Sequence, residues 1–233
     1  MRAVLATFAK RVLSPGERSA LRTLLAERGI AAAHRQGLRR IERHSLSRPA
    51  RLNLGCGRFR KSGFLNVDML PPADLTLDLR AGLPFESNCC DLVFAEHCFE
   101  HFDYPEPITR LFRDCLRVLK PGASLQFSVP NTEWPLNDYG RGPDAPYFKT
   151  CDELSWHPCN CTTRLEHINY HFRQGTEHRF AWDFETAEKA LTQAGFVKVR
   201  QRDYDSTLDS EHRRRGSLFV SALKPAEQVA RQP

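Results

Sequence analysis

The chain has 233 residues, 41% of them hydrophobic and 27% charged, which supplies the core of one globular domain with appendages. Its mean hydropathy of −0.50, and the lack of an apolar run near the eighteen or so residues of a membrane span, argue against a spanning helix. With only 13 Gly and 15 Pro the chain is neither collagen-like nor of low complexity, and its eight scattered cysteines read as thiols in a reducing, cytoplasmic setting.

The positive charge is concentrated at the N-terminus. The net charge is +6, yet the first fifty residues hold eleven Lys/Arg against Glu17, Glu27 and Glu42, so the remainder is slightly acidic. A basic arm over residues 1–48 can meet an anionic membrane face, a nucleic acid or an acidic partner, or stand as a solvated helix. Residues 1–13 have the basic, apolar character of a transit peptide or a membrane-surface helix. Leu21, Leu24, Leu25 and Arg28 continue at helical spacing beyond Pro15-Gly16, which predicts two short amphipathic helices. Ser47-Arg48-Pro49 reads as the linker into a main domain over residues 49–224.

From there the pattern alternates. Arg51–Gly55 is a short strand that breaks into Gly55-Cys56-Gly57, and Phe64–Asp68 is a second strand ending on an acid. Asp91–Ala95 is a buried-strand run. Ile108, Leu111, Phe112, Cys115 and Leu119 form a helical stripe, closed by Lys120-Pro121-Gly122, and Ser124–Val129 follows as a strand. Residues 131–178 carry tryptophans, cysteines, histidines and prolines without sustained periodicity, an irregular, lid-like insertion. Asp183 is a candidate N-cap for a helix with Ala187, Ala190, Leu191 and Ala194, ended by Gly195. Val197–Asp203 and Ser217–Leu223 close the domain as strands, and residues 225–233 read as a flexible tail. Strands alternating with helices predict an α/β fold with a mainly parallel sheet.

The glycine turn and the acid after it carry the chemistry. A strand leaving a sheet through Gly55-Cys56-Gly57 lets backbone approach a ligand where Cβ atoms are absent. An acid at the end of the next strand, Asp68, can accept both hydroxyls of a ribose. The series Leu52-Asn53-Leu54-Gly55-Cys56-Gly57, Gly63-Phe64-Leu65-Asn66-Val67-Asp68, Leu83-Pro84-Phe85 with Asp91-Leu92-Val93, Glu100-His101, Leu116–Gly122, and His178-Arg179-Phe180 with Gly195-Phe196 resembles the class I S-adenosylmethionine-dependent methyltransferases. Within them it resembles the small members that open on Leu-Asn-Leu-Gly-Cys-Gly, over about residues 50–224.

The resemblance implies a Rossmann-like, doubly wound, seven-stranded sheet, mostly parallel with an antiparallel last strand, and S-adenosylmethionine as cofactor. It implies that Gly55 and Gly57, around Cys56, cradle the methionine and ribose of the cofactor, and that Asp68 holds the ribose. Asp78 and Leu79 would border the adenine, and Glu96 and His97 would lie near the methionine and substrate. Asn53 stands where many relatives carry an acid, and no third glycine follows Gly57. Only Cys56–Gly63 connects the first two strands, where a parallel crossover needs a dozen residues or more, so the first crossover helix is expected to be vestigial, its cover supplied by the N-terminal helices.

Histidines and cysteines supply further candidates. His97-Cys98-Phe99-Glu100-His101 matches the string of inverted zinc peptidases but follows a strand inside a methyltransferase-like series, so that chemistry is set aside. The candidate catalytic histidines are His97 and His101 after that strand, and His171 and His178 where the insertion returns, since imidazole titrates near working pH; Asp183 beside them is a further candidate base. Cys151, His157, Cys159, Cys161, His167 and His171 offer zinc donors without paired Cys-x-x-Cys spacing, so buried thiols and surface histidines are the default and no metal is assigned. Arg213-Arg214-Arg215 could meet a substrate anion, or form a solvated loop.

The expected activity is methyl transfer from S-adenosylmethionine to oxygen or nitrogen of a small molecule, glycan or secondary metabolite. The motifs of DNA amino-group and pyrimidine-ring methylation are missing, so a nucleic-acid acceptor is disfavoured, and the basic arm leaves peripheral membrane contact open. The alternative is a non-catalytic binding module that recruits a partner through the arm and the Cys/His-rich insertion.

Overall fold

In a computed structural model, residues 12–44, 46–158 and 160–226 are described. The expected targeting character of residues 1–13, Cys159 and the end of the tail lie wholly or largely outside them. The strands are β1 (Arg51–Leu54), β2 (Leu65–Asp68), β3 (Leu75–Thr76), β4 (Cys90–Glu96), β5 (Leu119–Pro130), β6 (Val197–Gln201) and β7 (Ser217–Leu223). They form one sheet in the order β3-β2-β1-β4-β5-β7-β6. The pairs from β3 across to β5 are parallel, and β7 runs antiparallel to both β5 and β6. This is the expected Rossmann-like sheet. Its order reverses between β1 and β4, which sets the switch point where such sheets open a ligand crevice.

One face of the sheet carries the core. Leu52, Leu54, Val93, Ala95, Leu125 and Phe127 pack there. α2 (Ile108–Val118) covers them with Ile108, Leu111, Phe112, Cys115 and Val118, the predicted stripe at three- and four-residue spacing. α6 (Phe184–Ala194) adds Ala187, Ala190, Leu191 and Ala194. It starts on the side chain of Asp183, which accepts from the Thr186 N–H, and ends in Gly195 at φ 104°, as the capping pattern predicted.

The opposite face is polar along one register row. Asn66, Asn53, Phe94, Gln126 and Ser221 are successive partners across five strands. Among the described residues, only Leu92, Phe94, Leu208 and Phe64 make an apolar cluster there. A row so polar asks for little helical cover, which fits the short β1–β2 connection; no helix lies in it. Side chains hold the loop instead. Asn53 Nδ2 donates to Asn66 Oδ1 (2.9 Å), which also accepts from the Lys61 N–H, while Asn66 Nδ2 donates to Asp74.

Two sequence expectations give way. The stretch beyond Pro15 is not a short helix: α1 runs unbroken from Pro15 to His44. Ser14 and Glu17 exchange capping hydrogen bonds at its start, and Pro15 sits in the first turn, where a missing N–H costs nothing. α1 covers the sheet edge rather than the β1–β2 loop. Gly37 lies against the Thr76 carbonyl, Thr76 Oγ1 donates to the Ala33 carbonyl, and Ile41 enters the core. The insertion is not irregular either. It folds as α3 (Glu133–Tyr139), α4 (Pro146–Glu153) and α5 (Arg164–Arg173) around a small core of its own. These helices have at most ten residues and mixed faces, so their periodicity is too brief to read along the chain.

Candidate functional site

Three strands of the parallel sheet discharge into one cavity of about 600 Å³, the volume of a small-molecule site. β1 leaves through Gly55 at φ 65°, where a Cβ would stand 2.4 Å from Sγ of Cys98, so a side chain there would collide with the exit of β4. Gly57, at φ 49°, has open space where its Cβ would be. Its N–H donates to Asp68 Oδ2 (2.8 Å), and the Leu70 N–H donates to Oδ1 (3.0 Å). Each oxygen of Asp68 thus keeps accepting capacity toward the cavity. The glycine turn and the acid share one space and one hydrogen bond.

Most of the sequence-derived candidates line this cavity. Asn53, Gly55, Cys56, Gly57 and Asp68 do so from β1 and β2, and Leu79, Glu96, His97 and His101 from the other side. Asn53 is spent on Asn66 and the Phe59 carbonyl. Burial pushes the Cys56 thiol up to about 12, so it stays protonated. Glu96 accepts from the N–H and hydroxyl of Ser210, which ties the loop before β7 to the end of β4. Asp78 is the exception, although its neighbours Leu77 and Leu79 line the cavity. Its carboxylate caps the turn at Arg80 and pairs with the Arg80 guanidinium, outside the lining.

A second cavity of about 790 Å³ adjoins the first, and Arg58, His97 and Arg213 line both. His171 and His178 face this second space. Their partners fix their tautomers, because a carbonyl can only accept. His171 Nε2–H donates to the Asn131 carbonyl (3.0 Å), and His178 Nδ1–H to the His171 carbonyl (3.0 Å). In the first cavity His101 Nδ1–H donates to the Glu177 carbonyl (3.0 Å). The rings of His101 and His178 meet edge to face, 5.2 Å apart. Burial lowers His178, and holds His171 down at about 4, so both are neutral at pH 7.

His97 stands at the junction on a backbone at φ 48°, an unusual conformation for a residue with a side chain. Its Nε2 is 2.8 Å from Ser217 Oγ and its Nδ1 is 3.4 Å from Glu100 Oε1. Burial, then Arg213, depresses its basicity. Glu100 is fully enclosed and neither carboxyl oxygen has a hydrogen-bond partner; burial pushes its pKa up to about 8. Sequence reasoning missed Glu100 as a buried acid, since only the tertiary fold encloses it. It also missed Arg58, although its place directly after Gly57 was a signal. Arg213, half-buried and without a side-chain hydrogen bond or ion pair among the described residues, is the member of the arginine run that reaches the site, while Arg214 bonds to Glu211.

Residues 52–127, from β1 into β5, match the family model of a methyltransferase domain. The match is to a methyltransferase domain, and the matched stretch holds both the glycine turn and Asp68. No curated protein matches the sequence significantly. Among solved structures, the chain resembles a phosphoethanolamine N-methyltransferase from Haemonchus contortus in complex with S-adenosyl-L-methionine, at 17% identity and a TM-score of 0.43. That alignment covers 75% of this chain and 48% of the other, so the chain spans about half the length of that enzyme. A methyltransferase from Mesorhizobium loti aligns at 20% identity over 76% of this chain and 91% of its own, with a TM-score of 0.45. One from Archaeoglobus fulgidus aligns at 17% identity over 87% and 99%, with a TM-score of 0.44.

Proposed function

We propose that the chain is an enzyme that transfers methyl from S-adenosylmethionine to oxygen or nitrogen of a small-molecule or glycan acceptor. The observation that carries this reading is the pair of adjoining cavities with His97 and Arg213 in their common wall. The first has the features a nucleoside asks for: the open side of Gly57, the carboxylate of Asp68 with spare acceptor sites, and apolar Leu70, Leu77 and Leu79. When bound, S-adenosylmethionine supplies an electrophilic methyl on a sulfonium, whose thioether is an excellent leaving group. The chain's own contribution is then mostly alignment, which can carry most of the rate.

The second cavity is the acceptor site in this reading. Arg58, Arg213 and Arg215 line it, so an acceptor bearing a carboxylate or phosphate suits it. His178, anchored through Nδ1–H to a carbonyl, offers its Nε2 lone pair to the proton the acceptor sheds. His171 is turned by Asn131 and serves as wall. His97 and His101 border the cofactor side. The domain limits at 48/49 and 224/225, a cytoplasmic setting and an anionic contact for α1 belong to the same proposal. Arg35, Arg39 and Arg43 stand one turn apart on its exposed face. No helix among the described residues is long and apolar enough to cross a membrane.

Calorimetric titration with S-adenosylmethionine tests the reading. Binding is expected for the full chain, and Asp68→Ala is expected to weaken it by about 1–3 kcal/mol, roughly 5- to 150-fold. No heat of binding at cofactor concentrations near 1 mM, a free energy of only about −4 kcal/mol, overturns the enzyme and favours the non-catalytic binding module. Incubation of cell extract with labelled methyl donor then identifies the acceptor.

A further inference from the structure

Away from both glycine turn and acid, the insertion gathers three soft or imidazole donors that the methyl-transfer reading does not use. Cys151 closes α4, His167 stands in the first turns of α5, and His157 lies on the loop between them. One donor atom from each lies within 4.8 Å of the others. Cys151 is 2% exposed and His167 7%. The backbone is folded to bring them together. Ser155 at φ 49° and the bond from Trp156 N–H to the Cys151 carbonyl turn the chain back over α4. At the other end, the Thr163–Glu166 capping box fixes where α5 starts, and the His167 N–H then bonds the Thr163 carbonyl.

We propose that Cys151, His157 and His167 bind one divalent zinc ion that staples α4, the following loop and α5 into a unit. The donor chemistry selects the ion: one thiolate with two neutral imidazoles is a borderline-soft, tetrahedral set, and a solvent molecule fills the fourth position. The two Nδ1 atoms are 2.8 Å apart, the distance of a single shared proton. Around zinc, with bonds of about 2.0–2.1 Å, tetrahedral geometry separates two nitrogens by about 3.4 Å. Replacing that proton by the ion therefore needs the rings to part by only about half an ångström. Asp152 Oδ1 lies 3.8 Å from His167 Nε2, on the far side of that ring and just beyond hydrogen-bond distance.

The fold also has use for such a staple. The core under these helices consists of Ala145, Tyr147, Phe148, Cys151 and Ile168, with three part-buried aromatics at its edge. Few small helical units of this size hold together on so little apolar burial without a metal or a disulfide. Among the described residues no cysteine forms a disulfide.

The test uses the full-length protein, purified without a histidine tag from zinc-supplemented medium. Elemental analysis is expected to find about one zinc per chain. His157→Asn and His167→Gln are each expected to lower zinc affinity at least about tenfold while circular dichroism stays native. Cobalt(II) reconstitution of the parent protein supplies a reading that does not depend on variants. It is expected to give tetrahedral visible bands with a thiolate-to-cobalt charge-transfer band, and Cys151→Ser to lose the latter. Zinc content far below one per chain in the folded parent protein, together with no thiolate band, overturns the proposal. So does zinc content unchanged in both histidine variants. This outcome is separable from cofactor binding, because none of the three residues lines the first cavity, although His157 borders the second.

Discussion

Glu100 concentrates the cost of building the site. Its carboxyl lacks any hydrogen-bond partner, has His97 Nδ1 3.4 Å away and feels the Arg213 charge, and burial holds its pKa at about 8. The folded protein keeps the proton to about pH 8, while the unfolded chain releases it near 4.5. A raised carboxyl favours the fold fully below the unfolded value, and that advantage is lost as pH rises toward 8, at about 1 kcal/mol per pH unit. His97 acts with the opposite sign, since a depressed imidazole penalises the fold as pH falls below 6.5. Glu100→Gln keeps the shape of the neutral acid and cannot ionise. It is therefore expected to match the parent in urea unfolding at pH 5 and exceed it by about 1–3 kcal/mol at pH 8. Equal stability at both pH values would mean that Glu100 is ionised in the folded protein.

At the level of elements, α1 is the test of how the sheet edge is closed. Gly37 and Gly29 lie in the same helix and differ only in what they face. A Cβ at Gly37 would stand 2.2 Å from the Thr76 carbonyl oxygen and 2.9 Å from Leu77, whereas one at Gly29 meets nothing within 4 Å. Helix propensity alone favours alanine over glycine by about 1 kcal/mol at either place. Gly29→Ala is expected to raise stability by about that amount. Gly37→Ala must push α1 from β3, and overpacking of about 1–3 kcal/mol outweighs the gain. Denaturant midpoints in opposite directions confirm that α1 is docked, while two upward shifts detach it from the sheet. This contact also marks the limit of what the chain itself discloses. Gly55, Gly57 and Asp68 were legible because a strand, a bend and a strand end are local patterns, and the apolar stripe of α2 because it persists over three turns. Gly37 was not, because its reason for being glycine is a carbonyl thirty-nine positions away. The helices of the insertion, and the enclosure of Glu100, depend in the same way on partners distant in sequence.

Taken as a whole, the molecule has two cores with separate duties. The first cavity is walled by the ends of β1, β2 and β4, the loop between β1 and β2, Leu77 and Leu79 after β3, the turn that follows β4, Glu177 and the loop carrying Arg213, and no residue of α3, α4 or α5 contributes to it. The second is built in part by the insertion, through Trp156, His157, Tyr170 and His171. On the proposed reading, cofactor capture and acceptor capture fall to parts that can be loosened independently. A ligand at a hundred times its dissociation constant stabilises the folded state by about 2.7 kcal/mol. For a chain of this size that raises the melting temperature by about 5–10 °C. The shift from S-adenosylmethionine is expected to persist after chelator treatment of the protein, because the sheet and its glycine turn stay intact when the insertion loosens. Methylation of whatever acceptor the labelled extract identifies is expected to fall under the same treatment, through KM before kcat, since acceptor walls rather than cofactor geometry are disturbed. A thermal shift abolished by the chelator would instead make the insertion part of the cofactor site, and join the two cores into one functional unit.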